Sequence, residues 1–240
     1  MENIKSNDCN IVKVVLIGES GVGKTCIIKR FTKHCFDPNC PPSLSSQFIS
    51  SEIFIPDINE VIKFDLWDTA GQEKYRSLAK IFYKDAKIII FVYEITNRKS
   101  FDSLKQYWYQ QVKSNSIKDV ILALVGNKSD LYNNLEVEYK EAEEWADSIG
   151  AIFQETSALS NIGIDTLFIN LGKKFFNPNF NYKSEESQKK ELYEKKKENK
   201  KDEDVEEEED DDNNIIADAQ IIKLDNKKHN KKKNKKCCLS

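Results

Sequence analysis

Apolar residues fall along this chain in two alternating rhythms. Short β-branched runs, IVKVVLIG, FISSEIFI, VIKFDLW, KIIIFVYEI, DVILALVGN and AIFQETSA, have the length and content of strands. Between most of them lie segments with apolar residues at helical spacing, beginning near Lys24, Gln72, Ser100, Val137 and Gly163. Phe101, Leu104, Trp108 and Val112 show that spacing. Strands alternating with helices predict an α/β sheet with helices on both faces. FISSEIFI and VIKFDLW break the alternation, because the intervening PDINE is too short for a crossover helix and suits a hairpin turn. The predicted sheet is therefore mixed, with six strands, five parallel and one antiparallel at the edge.

Past Phe176 the rhythm stops. NPNFNYKSEESQKKELYEKKKENKK is polar, DEDVEEEEDDD is an acidic block and NKKHNKKKNKK a basic one, so no core can form there. The expected organisation is a flexible N-terminus over 1–10, one folded domain over 11–177 and a disordered tail over 178–240. The acidic block reads as compositional drift or a solvating spacer in preference to a specific docking site.

Composition adds limits more than direction. With 240 residues and 39% hydrophobic content, one good core is supported better than two. The net charge of -3 hides segregation of acidic from basic blocks, so bulk charge predicts no partner, and nucleic-acid binding is not expected. The chain is expected to act as a monomer. There is no secretory h-region after Met1 and no apolar run near the length of about 20 residues that a bilayer-spanning helix needs, which predicts a cytoplasmic protein. Cysteines at 9, 26, 35, 40, 237 and 238 show neither zinc-ligand spacing nor a disulfide framework, so reduced thiols are expected.

The first chemistry appears at Gly18–Thr25. GESGVGKT fits G-x-x-x-x-G-K-[ST], directly after a predicted strand and directly before a predicted helix. Glycines let the backbone bend so that successive N–H groups, from Ser20, Gly21, Val22 and Gly23 toward Cys26, point into one concavity that suits a polyphosphate. Lys24 neutralises the outer phosphates. The Thr25 hydroxyl is placed to ligate Mg²⁺, a hard ion that takes oxygen ligands. This predicts a nucleotide phosphate site without saying which nucleotide.

Three further stretches, WDTAGQE at Trp67–Glu73, GNKSD at Gly126–Asp130 and TSA at Thr156–Ala158, follow in an order and spacing that resembles the Ras superfamily of small GTPases, and its Rab branch more closely. The resemblance runs from about Ile11 to Phe176 and implies a P-loop NTPase fold of the small G-domain type, binding GTP and GDP with Mg²⁺. A carboxylate accepts two N–H bonds from the guanine edge that adenine cannot supply, so Asp130 as base reader implies GTP over ATP. Asn127 and Lys128 brace that site. The resemblance further implies that Ser157 and the Ala158 N–H complete it and that Phe36 packs on the base. Leu159 stands where the family usually has lysine and still offers apolar cover. Asp68 resembles the residue that holds Mg²⁺ through water, the Gly71 N–H the sensor of the γ-phosphate, and Gln72 the catalytic residue that orients the attacking water. Hydrolysis of this kind is positioning and charge stabilisation, slow until a partner inserts an arginine.

The first switch loop departs from the family. Counting forward from Thr25, the threonine that completes the Mg²⁺ shell falls on Ser43 in PPSLSSQF, and the usual glycine on Ser45. Ser43 keeps a hydroxyl, while Pro41, Pro42 and Ser45 alter the loop's freedom. Ser45 and Ser46 are the other hydroxyls in reach. A cycling switch and a GTP-binding scaffold with little turnover are both compatible with such a loop.

Phe48, Trp67 and Phe82 match the apolar triad by which Rab proteins meet effectors. GES, VYEITN at Val92–Asn97 and the final CCLS lean toward the early-endosomal Rabs. Two adjacent cysteines, Cys237 and Cys238, can take two prenyl groups, and stable anchoring takes two signals. IIKLD at Ile221–Asp225 resembles the element by which Rab tails are held during prenylation. The other reading is a C-a-a-X box with one farnesyl on Cys237. A tether from Phe180 to Cys237 reaches about 40 Å on average. The implied setting is the cytosolic face of an endomembrane, endosome or Golgi, in vesicle-mediated transport. The implied partners are an exchange factor, a GTPase-activating protein, a prenylation escort, a GDP-dissociation inhibitor and trafficking effectors.

Overall fold

The computed structural model describes residues 10–39, 47–69, 83–114 and 119–183. Six strands form one sheet in the order β2-β3-β1-β4-β5-β6. They are β1 (Asn10–Ile17), β2 (Gln47–Ile55), β3 (Glu60–Asp68), β4 (Ile88–Glu94), β5 (Ile121–Asn127) and β6 (Ile152–Thr156). β2 runs antiparallel to β3, and every other neighbouring pair is parallel. The mixed sheet expected from the short PDINE turn is thus present, with Pro56–Ile58 as a single 3-10 turn and Asn59 left-handed at φ 53°.

The helices are α1 (Lys24–Lys33), α2 (Arg98–Ser103), α3 (Tyr109–Ser114), α4 (Tyr139–Ser148) and α5 (Ile164–Phe176). α2 passes into α3 through a π-helical turn at Leu104–Trp108. The helix expected near Gln72 lies outside the described residues.

Each face of the sheet has its own core. β1 alternates strictly, so Val12, Val14 and Leu16 face α1 and α5, where they meet Ile27, Phe31, Leu167, Phe168 and Leu171. Val15 and Ile17 face the other way, against Phe101, Leu104, Trp108 and Val112 of the α2–α3 helix and Ala142 and Ala146 of α4. β4 lies in the middle and is buried on both sides, which is why KIIIFVYEI is a continuous apolar run with no alternation. Phe31 stacks on Phe168 with ring centroids 3.7 Å apart, joining α1 to α5.

The chain leaving α5 stays on the domain as far as Lys183. The Tyr182 hydroxyl accepts from the Phe153 N–H on edge strand β6 at 3.2 Å, and Lys183 pairs with Asp147 and Glu143 of α4. Residues 184–240, with the acidic and basic blocks and both terminal cysteines, lie outside the described residues, as do residues 1–9.

Candidate functional site

The C-terminal ends of β1, β3, β4, β5 and β6 open toward one rim, and the loops leaving them carry the motif residues. In a mostly parallel sheet this rim is where ligands bind.

Gly18 ends β1 and turns the chain into the phosphate loop. A Cβ there would come within 2.1 Å of the Val92 carbonyl oxygen, so only glycine lets the loop lie this close to β4. Gly23, at φ 97°, feeds α1 from the left-handed region. Inside the loop the Lys24 ammonium donates to the carbonyls of Gly18 and Glu19, at 2.8 Å each. Burial pushes its pKa down to about 8, opposed by the attraction of Asp68 and Glu19. The Thr25 hydroxyl donates to Asp68 Oδ2 at 2.6 Å, so β3 and α1 bring a hydroxyl and a carboxylate together below the lysine. Two hard oxygen donors side by side fit Mg²⁺ chemistry.

The base side is assembled from more distant pieces. A cavity of about 260 Å³ opens between Gly21, Cys26, Phe36, Asn127, Lys128, Asp130, Ala158 and Leu159, among others. Asn127 is buried and works inward, donating to the Val22 carbonyl at 2.8 Å and accepting from Thr156 Oγ1 at 3.1 Å. It therefore ties the phosphate loop to β5 and β6. Lys128 stands in the left-handed region at φ 67° and pairs with Glu94 at 2.7 Å, which also accepts from Thr96. Ser157 donates to Asp130 Oδ1 and in turn accepts from the Ser160 N–H, holding the proposed base reader toward the cavity. Leu159 is half exposed at its mouth.

Three supports of this rim went unread in the sequence. Arg30, near the end of α1, donates to the Ala158, Leu159 and His34 carbonyls at 2.7, 3.0 and 3.1 Å, joining the TSA loop to the stretch before Phe36. A basic residue in the last turn of a helix is commonplace, so nothing local marked it. Glu94 lay inside VYEITN without a role. Glu19 lay inside GESGVGKT without a role of its own, yet its carboxylate is engaged by Ser103 and Trp108.

On the neighbouring face, Phe48 and Trp67 are cross-strand partners on β2 and β3 with rings 5.4 Å apart, and Lys13 sits over the indole at 4.8 Å. Phe48 keeps half its surface exposed. The third member of the expected triad, Phe82, lies outside the described residues, as do Ser43, Ser45, Ser46, Gly71, Gln72, Cys237 and Cys238. Among the described residues no helix is long and apolar enough to cross a membrane.

The Ras family profile matches residues 13–177. Human Ras-related protein Rab-22A is 39% identical over 173 residues, covering 72% of this chain and 88% of that protein. Mouse Ras-related protein Rab-31 is 41% identical over 163 residues, or 68% and 82% of the two chains. Ras-related protein RabJ of Dictyostelium discoideum is 37% identical over 182 residues, 75% and 70%. With the pinned lysine, the Thr25–Asp68 pair and the Asn127-braced cavity at the places that such a fold requires, the chain belongs to the Ras family of small GTPases and, within it, to the Rab proteins of vesicle traffic.

Proposed function

We propose that this GTPase is a membrane-tethered switch, binding GTP and GDP on the rim described above, hydrolysing GTP slowly and recruiting effectors in its GTP form. The observation that carries the reading is the convergence of Lys24, Thr25 and Asp68 beside a base cavity that Asn127 ties to the phosphate loop. In this reading Asp130, held by Ser157, takes the guanine edge, and Ala158, Leu159 and Phe36 enclose the ring. The N–H groups of residues 20–26 cradle the phosphates. Thr25, Ser43 and Asp68 would hold Mg²⁺, which would supply charge neutralisation for the phosphates. Gln72 orients the attacking water, and the Gly71 N–H senses the γ-phosphate. Turnover stays slow until an activating protein supplies an arginine.

Phe48 and Trp67, with Phe82, form the effector face. Cys237 and Cys238 carry two geranylgeranyl groups, which with the seven lysines of 227–236 satisfy the two-signal requirement for stable anchoring. An escort and a GDP-dissociation inhibitor shield those lipids in the cytosol, and an exchange factor loads GTP at the membrane. The setting is the cytosolic face of an endosomal or Golgi membrane.

Labelled GTP and GDP binding to the full chain, with and without Mg²⁺, followed by phosphate release, tests the switch. Tight metal-dependent binding with slow release is expected. Binding indifferent to metal would sink the Ser43 assignment, and the absence of release even with an activating protein would favour a GTP-binding scaffold set by PPSLSSQF.

A further inference from the structure

Glu19 is fixed at both ends. Its backbone carbonyl receives the Lys24 ammonium at 2.8 Å, and its side chain turns the other way, where Oε1 accepts from the Ser103 hydroxyl and from the Trp108 indole N–H, the latter at 3.1 Å. A shift of the carboxylate would therefore move the carbonyl that seats the phosphate-binding lysine.

The two donors are five residues apart, and their convergence needs an explanation. In an α-helix, residues five apart point about 140° away from each other, since each step turns about 100°. The helix between α2 and α3 is not α-helical here. Leu104–Trp108 is a π turn, whose i→i+5 repeat brings residues five apart toward one side of the helix. Ser103 and Trp108 thus face a single carboxylate. Such turns are rare and recur at functional sites, because a helix gives up regular packing to make one. Trp108 is only 2% exposed, and a buried indole N–H without an acceptor is costly, so the turn and the carboxylate support each other.

The helix behind the contact is itself anchored. Arg98 makes a two-bond pair with Glu141 of α4 at 2.6 and 2.7 Å, and Lys105 reaches the same carboxylate at 3.4 Å. The Lys105 ammonium also lies 4.5 Å from the Phe101 ring centroid. Glu19 is consequently bound to a body that packs across a whole face of the sheet, and not to a loop.

We propose that Glu19, Ser103 and Trp108 form a brace that seats the phosphate loop and sets the rate at which bound guanine nucleotide leaves. All three are positioning residues, acting through the Glu19 carbonyl on Lys24. The brace rests on nucleotide binding at the phosphate loop and adds to that site a point of control on its far side. An intact brace keeps the lysine-bearing carbonyls in register, and release is slow. Loss of either the acceptor or the donors lets the loop relax and speeds release.

The test uses the full chain and a fluorescent GDP. Glu19→Ala and the double variant Ser103→Ala with Trp108→Phe are each expected to release GDP about tenfold faster. Glu19→Gln keeps an acceptor oxygen and is expected to restore most of the slow release, which a general loss of stability would not do. The indole N–H signals in a ¹⁵N spectrum give a second readout, since the chain has three tryptophans and Trp108→Phe identifies one of them. The Trp108 signal is expected to move in Glu19→Ala. Release within twofold of the unaltered chain in both disrupted forms overturns the proposal, as does an unmoved indole signal. Failure of the unaltered chain to bind GDP at all would instead remove the nucleotide reading beneath it, and the indole signal would then report on the contact alone.

Discussion

The phosphate loop is one continuous stretch shaped by backbone torsions, whereas the base cavity is assembled from separated segments by side-chain hydrogen bonds. Gly18 and Gly23 stand where any Cβ would strike a neighbour, 2.1 Å from the Val92 oxygen and 2.2 Å from Asn127 Nδ2. On the base side, by contrast, Asn127, Ser157, Arg30 and Glu94 each hold one piece against another. The difference predicts how each half breaks. A torsion-built loop fails by collision, all at once, while a cross-linked cavity loosens one bond at a time.

The largest effect is expected at the point where the two halves touch. Gly23→Ala puts a methyl into the Asn127 amide and forces a non-glycine residue to φ 97°. Left-handed strain and the lost Asn127 bond together cost about 4 kcal/mol, so GDP binding should vanish and the melting temperature should fall. Retention of GDP affinity within tenfold would show that the loop is not torsion-built. Next comes Asp130→Ala, which removes both oxygens proposed to accept from the guanine edge and leaves the phosphate loop intact. GDP affinity is expected to drop about a hundredfold while discrimination between guanine and adenine nucleotides collapses. Competition binding with both nucleotides measures this, and preserved discrimination would move the base reader elsewhere.

Arg30→Ala sharpens the comparison further, because the Arg30 guanidinium donates to carbonyls of the base loop and of His34 and lies 6.0 Å from the Phe36 ring centroid, all on the base side. Two charge-assisted bonds to Ala158 and Leu159 disappear, and release of GDP is expected to quicken about tenfold. Lysine at this position offers one point charge in place of a planar fork and should recover only part of the loss. Stopped-flow release rates for both variants decide it; equal rates for alanine and lysine would mean that the fork geometry carries nothing.

The same contrast explains what was legible in the sequence. GESGVGKT could be read as a phosphate loop because its glycines, Lys24 and Thr25 lie within eight positions, and glycine leaves a signature wherever a Cβ is forbidden. The alternation of strands and helices was equally plain, since β1 sorts its side chains by parity between two cores. Asp130, Asn127 and Ala158 were nominated only through their motifs, and nothing in their spacing showed that Ser157 holds Asp130 or that Asn127 reaches Val22. Arg30 and Glu94 were missed because their partners lie 128 and 34 residues away. The π turn was missed for a different reason. Phe101, Leu104, Trp108 and Val112 are all buried and fit an ordinary helical stripe, and an i→i+5 turn leaves no mark in a hydrophobic pattern.

The smallest expected effect lies in pH. Of the two halves, among the described residues, the phosphate side is the one with a buried ammonium, Lys24, whose pKa burial lowers from 10.5 to about 8. Between those values the unfolded chain binds more protons than the folded one, so the nucleotide-free protein should gain stability from this group as pH rises from about 8 toward 10.5. Affinity runs the other way, because phosphate requires the charged lysine. Raising pH from 7 to 8.5 is expected to weaken GDP binding about fourfold, the factor that follows from a pKa near 8 in the free site. Arg30→Ala should shift the whole curve and leave its slope alone, since no titrating group is removed. Titrations of both proteins across that range, with melting curves of the nucleotide-free forms, give the comparison. A flat affinity profile, or a stability that falls over the same interval, would mean that Lys24 stays charged throughout and that the two carbonyls hold its proton more firmly than burial removes it.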